Sequence, residues 1–476
     1  HAELLGRLRA AWLAGKTRPL EHRVAQLEAL GRFLDERKQE ILEATAADMG
    51  KVRASRPGPP WRAPSRPPET LPSQDFLLRA SLPCPGAGCA LGHWSRSALG
   101  SLGLGGSFPL LNLQLRLWGC PWAAGPPSNL PRTGGSWGGN CAVLKPSEVS
   151  RTVEKLVAEA LPRYLDQDCF AVVTAGAEET TRLLQNKFDY IFFTGSPAVG
   201  RTVMAAAARH LTPVTLELGG KNPCYVADGC DVRNAARRLA WGRFFNAGQT
   251  CVAPDYLLCS PETREELLPA LREAIAEFYG PDPQQSPDFG RIVGERQFQR
   301  VRALLSGGRV AIGGQTDAGS RYIAPTVLVD VQPSDPVMQE EIFGPILPIL
   351  TVSSVEDAIA FINSRDRPLA LYVFSSSKKV VKQFLEQTSS GGFCANDTIM
   401  QITLTSLPFG GIGQSGLGRY HGRSSFDTFS HQRSALLRGG GREALNRLRY
   451  PPYAPRRLPL LRAATETRRR PTCTLL

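Results

Sequence analysis

The sequence predicts an α/β fold built from two parallel-sheet units joined in tandem. Three observations support this. From residue 140 to about residue 400, short apolar runs alternate with amphipathic stretches of helical spacing, the pattern of β-α-β units in a parallel sheet. At 476 residues the chain is longer than one core usually organises. Hydrophobic content of 42% and charged content of 21% are those of a globular protein, and no run approaches the roughly 18 apolar residues of a spanning helix.

The elements follow in order. Residues 2–50 read as helical, because Val24, Leu27, Leu30 and Leu34 recur at helical spacing, followed by Ile41 and Leu42. The opening HAELLGRLRA has no initiator Met and no apolar signal core, and reads as a fragment or a trimmed gene product. Residues 51–139 break the pattern: they hold 14 of the 38 prolines and five of the seven tryptophans. RPGPPWRAPSRPPETLP can be neither helix nor interior strand, and the segment offers at most one short strand. It is expected to be poorly ordered, and its abrupt borders favour translated non-coding or frame-shifted sequence over an ordinary linker, which rarely carries so much Trp and Leu.

Regular patterning returns at GGNCAVLKPSEVS. A strand from Cys141 to Leu144 leads to a helix opened by Ser147 and filled by Val153, Leu156 and Val157. CFAVVTAG, then AEETTRLLQ, then FDYIFFTG, then SPAVGRTVMAAAARHL read as strand, helix, strand and helix. VTLELGG, RYIAPTVLVDV, PILPILTV and LALYVFS continue the strands more loosely. No internal repeat is evident.

Charge and cysteine usage narrow the chemistry. The net charge of +13 invites a nucleic-acid partner. Much of the excess, however, lies in residues 51–139, where nine Lys/Arg face only Glu69 and Asp75, and in an Arg-rich tail. Without a basic stripe interleaved with aromatics elsewhere, no nucleic acid is expected. Eleven cysteines with no C-x-x-C point to reduced thiols in the cytoplasm. The six His residues do not pair with cysteines at ligand spacing, so no metal centre is expected.

Four stretches can carry chemistry. FFTGSPAVG places Gly195 and Gly200 at a strand-to-helix turn, where free N–H groups and the helix dipole suit phosphate; an ordinary βα turn explains it about as well. Lys145 in LKPSE ends a strand and suits ribose hydroxyls or phosphate, or is simply solvated. Glu217 leaves a buried strand in LELGGKNP, where a raised pKa would suit a general base; a capping or ion-paired Glu is the plain alternative. Cys251, 34 residues further on, follows a helix-to-loop passage in GRFFNAGQTC. As a nucleophile it needs partial access and a lowered pKa, whereas most lone cysteines are small buried hydrophobes. Spacing alone leaves these alternatives open.

Taken together, FFTGSPAVG, LELGGKNP, FNAGQTCVAPD, EEIFGPILP and LPFGGIGQSGLGRYHG resemble the aldehyde dehydrogenase superfamily. VTLELGGKNPCYV and CVAPDYLLC resemble its class 3 branch, and RYIAPTVLVDV with the final Cys-Thr-Leu-Leu resembles the B-type members. The similarity runs through about 1–50 and 140–476. It implies two Rossmann-like parallel-sheet domains, for cofactor and catalysis, and a small oligomerisation element. Residues 1–50 and 140–213 would form the cofactor domain, 214–400 the catalytic domain, 401–435 the closing segment and dimer contact, and 436–476 a basic tail. It implies NAD or NADP as cofactor, an aldehyde as substrate, and a homodimer.

Residue roles carry over with the motifs. Cys251 would attack the aldehyde carbon, the adduct would give hydride to the nicotinamide, and a thioester would remain. Glu217 would activate the water that hydrolyses it. Gly195, Ser196, Pro197, Ala198, Val199 and Gly200 would form the pyrophosphate turn, Lys145 would reach the adenosine ribose, and Glu341 and Phe343 would hold the nicotinamide ribose and ring.

The match fails at one point. Family members carry Pro-Trp-Asn-Tyr-Pro upstream of KPSE, and its Asn completes an oxyanion hole with the nucleophile's own N–H. Here Pro121 and Trp122 are followed by Ala123, Ala124 and Gly125. Asn112 and Asn129 lie out of context. Loss of one such donor costs about 10²–10³ in rate, so residues 51–139, read as genuine protein, predict impaired turnover and a homologue that binds nucleotide or partners only. At the other end, Cys473 begins a C-a-a-X box with terminal Leu, the pattern for geranylgeranylation, preceded by Arg468, Arg469 and Arg470. That predicts a protein peripheral on plasma membrane, endomembrane or lipid droplet, and suits medium- or long-chain lipid aldehydes.

Overall fold

The computed structural model describes residues 1–50, 139–441, 443–453 and 455–465. The Pro/Gly/Trp-rich stretch 51–138, with the Ala123 position and its two alternative asparagines, and Cys473 lie outside the described residues. The chain divides into two compact units, His1–His431 and Gln432–Leu476.

In the first unit, the expected helical start resolves into three helices, Ala2–Leu13, Leu20–Glu36 and Lys38–Asp48. Gly15, in the left-handed region at φ 81°, and Pro19 separate the first two. Ala29, Leu30, Phe33, Leu34 and Ile41 are buried against Val153, Val157 and Leu161. The strands β1 (Ala142–Leu144) and β2 (Phe170–Val172) pair in parallel. The helix after β1 spans Arg151–Ala160, not from Ser147, because its first free N–H groups are taken by a distant carboxylate. Asp48 accepts from Thr152 N and Val153 N at 3.0 Å each, doing what a local N-cap side chain does.

β3 (Ile191–Gly195) and β4 (Val214–Leu218) pair in parallel around helix Pro197–Ala208, with Thr194 beside Glu217 and Gly195 beside Leu218. The sheet therefore runs across the 213/214 junction at which a domain division was expected. The apolar run VTLEL carries no mark of which sheet it joins.

The larger sheet contains β5 (Pro223–Val226), β6 (Tyr256–Cys259), β7 (Arg309–Ile312), β10 (Thr326–Val329), β11 (Ile346–Thr351), β12 (Ala370–Phe374) and β13 (Gly392–Ala395). Between β7 and β10, β8 (Thr316–Asp317) and β9 (Tyr322–Ile323) form a separate ribbon. The order in the larger sheet is β13-β12-β5-β6-β11-β10-β7, parallel except for β7. Strands buried on both faces read as continuous apolar runs: every residue of β5, β6, β10 and β12 is buried. Helices Val232–Phe244 and Pro261–Tyr279 cover the sheet through Leu239, Phe244, Leu267 and Leu271. β14 (Gly416–Leu417) returns antiparallel onto β4, opposite Leu216 and Glu217.

The second unit is described only through short helical turns, Glu443–Asn446 and Leu458–Thr465 among them. Among the described residues no helix is long and apolar enough to cross a membrane.

Candidate functional site

Four residues carry the chain from the end of β4 to the start of β5, and with them from the smaller sheet to the larger. Glu217 stands near the carboxyl end of β4 and Asn222 just before β5, with Leu218, Gly219, Gly220 and Lys221 between them. Gly219 has a steric reason to be glycine: a Cβ there would overlap the carboxylate of Glu341. Gly220 N donates to that same carboxylate.

The loop bearing Cys251 approaches from helix Val232–Phe244, which ends in a single turn over Phe245–Gly248. Asn246 and Ala247 both take left-handed backbone angles, φ 53° and 55°, a strain that persists only where the surroundings impose it. The surroundings do so at Gly248, whose missing Cβ allows the carbonyl of Gly344 to approach. Gln249 holds the loop further, donating to Asn246 O at 3.0 Å and Arg291 O at 2.9 Å while accepting from Val293 N at 2.8 Å.

A buried ion cluster fastens this loop to EEIFGP. Asp255 receives Lys221 Nζ at 2.6 Å, Arg243 Nη1 at 2.9 Å, and the amide of Ile342 at 3.2 Å. Arg243 is fully buried and also donates to the carbonyls of Pro254 and Gly344. Asp255 pairs the Arg243 charge and both terminal nitrogens of the guanidinium are engaged, which is most of what a buried ion needs; Nε alone stays without a partner among the described residues.

Cys251, Glu217 and Glu341 are thereby brought together, three residues that LELGG, GQTC and EEIFGP place far apart in sequence. Burial raises the Glu217 carboxyl well above its ordinary range; the Tyr420 phenol opposes this and the charge of Glu341 adds to it. Both Glu217 oxygens and the Tyr420 hydroxyl are buried and complete no normal hydrogen bond among the described residues. Burial also pushes Glu341 up to about 8, with Asp255 adding and Gly220 N–H, Lys221 and Arg243 opposing.

The Cys251 thiol is raised as well, by burial first and then by Glu217 and Glu341, against the N–H groups of Cys251 and Val252. The lowered thiol pKa expected of a nucleophile is therefore not found. The residue keeps partial exposure, but two acidic neighbours and a dry setting favour the protonated thiol. A protonated thiol beside an unsatisfied carboxyl is an arrangement in which one group can take a proton as the other attacks carbon.

The candidate nucleotide residues occupy the adjoining edge. Gly195 ends β3, Ser196 accepts from Val199 N at 3.4 Å, and Pro197, Ala198, Val199 and Gly200 form the first turn of the following helix. Gly200 packs on Leu218, directly after Glu217. Val199 is exposed on this first turn, and a helix N-terminus is a setting that suits a pyrophosphate. Lys145 follows β1 and pairs with Glu148 at 2.6 Å. Phe343, two residues after Glu341, is exposed and held at φ 47°. The donor set and the helix N-terminus fit a dinucleotide.

The partners that arrange the site, Asn222, Arg243, Asp255, Tyr372 and Tyr420, were not singled out from the sequence; the buried run YVF around Tyr372 reads as strand and nothing more. Among the described residues His22, Asp166 and Cys169 could hold a metal. Tertiary folding, not spacing, assembles them. Lys16 Nζ already lies 2.8 Å from Asp166 Oδ2 and supplies the cation.

Comparison with known proteins gives the same picture throughout. The sequence profile of the Aldehyde dehydrogenase family matches residues 137–435. The chain is 56% identical over 492 residues to human aldehyde dehydrogenase family 3 member B1, covering 100% of this chain and 99% of that protein. It is 53% identical over 482 residues to mouse family 3 member B3, covering 100% and 96%. Among solved structures, the substrate-bound state of Staphylococcus aureus AldH matches with TM-score 0.76 and 33% identity, covering 98% of this chain and 99% of that one. A Mycobacterium tuberculosis aldehyde dehydrogenase complexed with NAD+ matches with TM-score 0.58 and 31% identity, covering 64% and 65%.

Proposed function

Because the chain belongs to the aldehyde dehydrogenase family, as a class 3 B-type member and an NAD(P)-dependent oxidiser of aldehydes, we propose that Cys251 is its nucleophile and Glu217 its general base. The observation that carries this reading is the enclosure of Cys251 with Glu217, whose oxygens are buried without partners. The Cys251 thiol gives up its proton to solvent water and Sγ adds to the aldehyde carbon, forming a tetrahedral adduct. NAD(P), when bound, accepts the hydride. Glu217 then removes a proton from water, the water oxygen attacks the thioester carbon, and the carboxylate product leaves as the Cys251 thiol reforms. Glu341 and Phe343 would hold the nicotinamide end, Gly195 to Gly200 the pyrophosphate, and Lys145 the adenosine ribose.

The substrate range follows from the tail. A C-a-a-X cysteine at 473 behind Arg468, Arg469 and Arg470 would combine a lipid with an electrostatic signal, the pairing that stable anchoring requires. Held at a bilayer, the enzyme would meet medium- and long-chain aldehydes, working as a homodimer. Purified protein given NAD and aliphatic aldehydes from propanal to hexadecanal should form NADH with kcat/KM rising along the series. No aldehyde-dependent NADH with any member would favour a homologue that binds nucleotide without turnover. Mass spectrometry of the C-terminal peptide from mammalian cells should find Cys473 carrying a geranylgeranyl group; an unmodified, full-length peptide refutes the anchor.

A further inference from the structure

We propose that Asn222 is a positioning residue for the Cys251 thiol, acting with Tyr372 by fixing the peptide units that follow the nucleophile. The proposal rests on the reading of Cys251 as the nucleophile. Asn222 is 1% exposed. Its Nδ2 donates to Cys251 O at 2.8 Å and to Ala253 O at 3.0 Å, while its Oδ1 accepts from Ala370 N at 2.9 Å. Its main-chain oxygen accepts from Asp255 N at 2.8 Å. Between the two carbonyls that Asn222 holds, Tyr372 takes the third: its hydroxyl donates to Val252 O at 2.5 Å and accepts from Gln401 Nε2 at 3.0 Å. Three consecutive carbonyls, from residues 251, 252 and 253, are therefore anchored by two buried side chains.

The consequence for the sulfur follows from peptide planarity. In a trans peptide the C=O of one residue and the N–H of the next point in opposite directions. Tying Cys251 O to Asn222 therefore turns the Val252 N–H the other way, and that N–H stabilises the Cys251 thiolate. The Cys251 N–H is set by the neighbouring peptide, whose Thr250 O accepts from Ala253 N at 2.9 Å; Ala253 is the residue whose own carbonyl Asn222 grips. A side chain that only joined strands would need the bond to Ala370 N. The two bonds to the nucleophile loop exceed that need: the one to Cys251 O sets the Val252 N–H, and the one to Ala253 O holds in place the residue whose N–H fixes the Thr250 carbonyl.

The test compares the full chain with Asn222→Ala and Tyr372→Phe, reading alkylation of Cys251 by iodoacetamide across pH by peptide mass spectrometry, alongside steady-state kinetics. In Asn222→Ala the midpoint of alkylation should move up by about one pH unit, because the thiolate loses an oriented N–H. kcat should fall about 10²-fold, the scale of a small misplacement at a reacting centre, with KM for NAD within about two-fold of the parent. Tyr372→Phe should shift the midpoint in the same direction by less. Asn222→Ser, which restores one donor, should recover part of the loss. If Asn222→Ala does not fold, Tyr372→Phe, lacking a single oxygen, decides alone. An unchanged midpoint in the folded variants, with Cys251 still essential, overturns this proposal and leaves the nucleophile in place. Alkylation of Cys251 that leaves activity intact overturns both.

Discussion

Replacing Cys251 with serine is expected to lower aldehyde-dependent NADH formation by about 10⁴-fold or more, the scale seen when a covalent nucleophile is removed from an otherwise intact site. Serine keeps nearly the same volume in a loop whose shape is set by main-chain contacts, Gln249 and the Asp255 cluster, so the melting temperature should hold. A serine hydroxyl is far less acidic than a thiol. Its neighbours, the raised Glu217 and Glu341 carboxyls, make an anion at that position costly. The reading is NADH absorbance with a long-chain aldehyde, set beside a thermal melt. Turnover within tenfold of the parent, in a variant that melts normally, would show that the carbon is attacked by some other group.

Glu217→Gln separates the second half of the reaction from the first. Loss of a positioned base costs about 10²–10⁴-fold, and the loss should fall on thioester hydrolysis. Mixed with aldehyde and NAD, the variant should release NADH in an amount matching the enzyme and then stall, with the acyl mass on the Cys251 peptide. In the parent, Glu217 must be ionised to take a proton from water, and its carboxyl is held well above the usual range. Turnover should therefore rise as pH increases from neutrality. Stability runs the other way. A carboxyl whose folded pKa exceeds its unfolded value, ordinarily about 4.3, stabilises the fold fully below that value and loses the contribution as pH climbs through the folded one. For Glu341 that window closes at about 8; Glu217 acts in the same sense. Stability should thus decline toward alkaline pH, and less steeply in Glu217→Gln. Full steady-state turnover in the variant, with no burst, would remove Glu217 from the role of base.

The residues proposed to react are more legible in the sequence than the frame that holds them. Cys251 and Glu217 sit in short motifs with glycines on one side, and Gly195–Gly200 follows a strand and opens a helix as expected. Asn222, Asp255 and Arg243 leave no such trace, because their partners are distant: Asn222 reaches Ala370, and Arg243 reaches Gly344. The acidity of Cys251 is illegible in the sequence for a related reason. Sequence shows no neighbour to the thiol, whereas folding supplies two carboxyls and removes water. Element boundaries erred where tertiary contacts overrode local signals: Asp48 starts a helix about a hundred residues away, and Val214–Leu218 joins the sheet before it rather than the one after.

The passage from β4 to β5 works as a ruler. On one side of it stands the carboxyl group proposed to activate water, and on the other the amide proposed to steady the sulfur's loop, with only Leu218 to Lys221 between them. Extended chain advances about 3.3–3.6 Å per residue. One residue gained or lost there would misplace the two halves of the chemistry by more than a hydrogen bond's length. Surface turns such as the one around Gly280, where an added side chain meets open space, face no such metric. Tolerance of length change should differ sharply between these two kinds of connection, and the four residues before Asn222 mark where the molecule has none to spare.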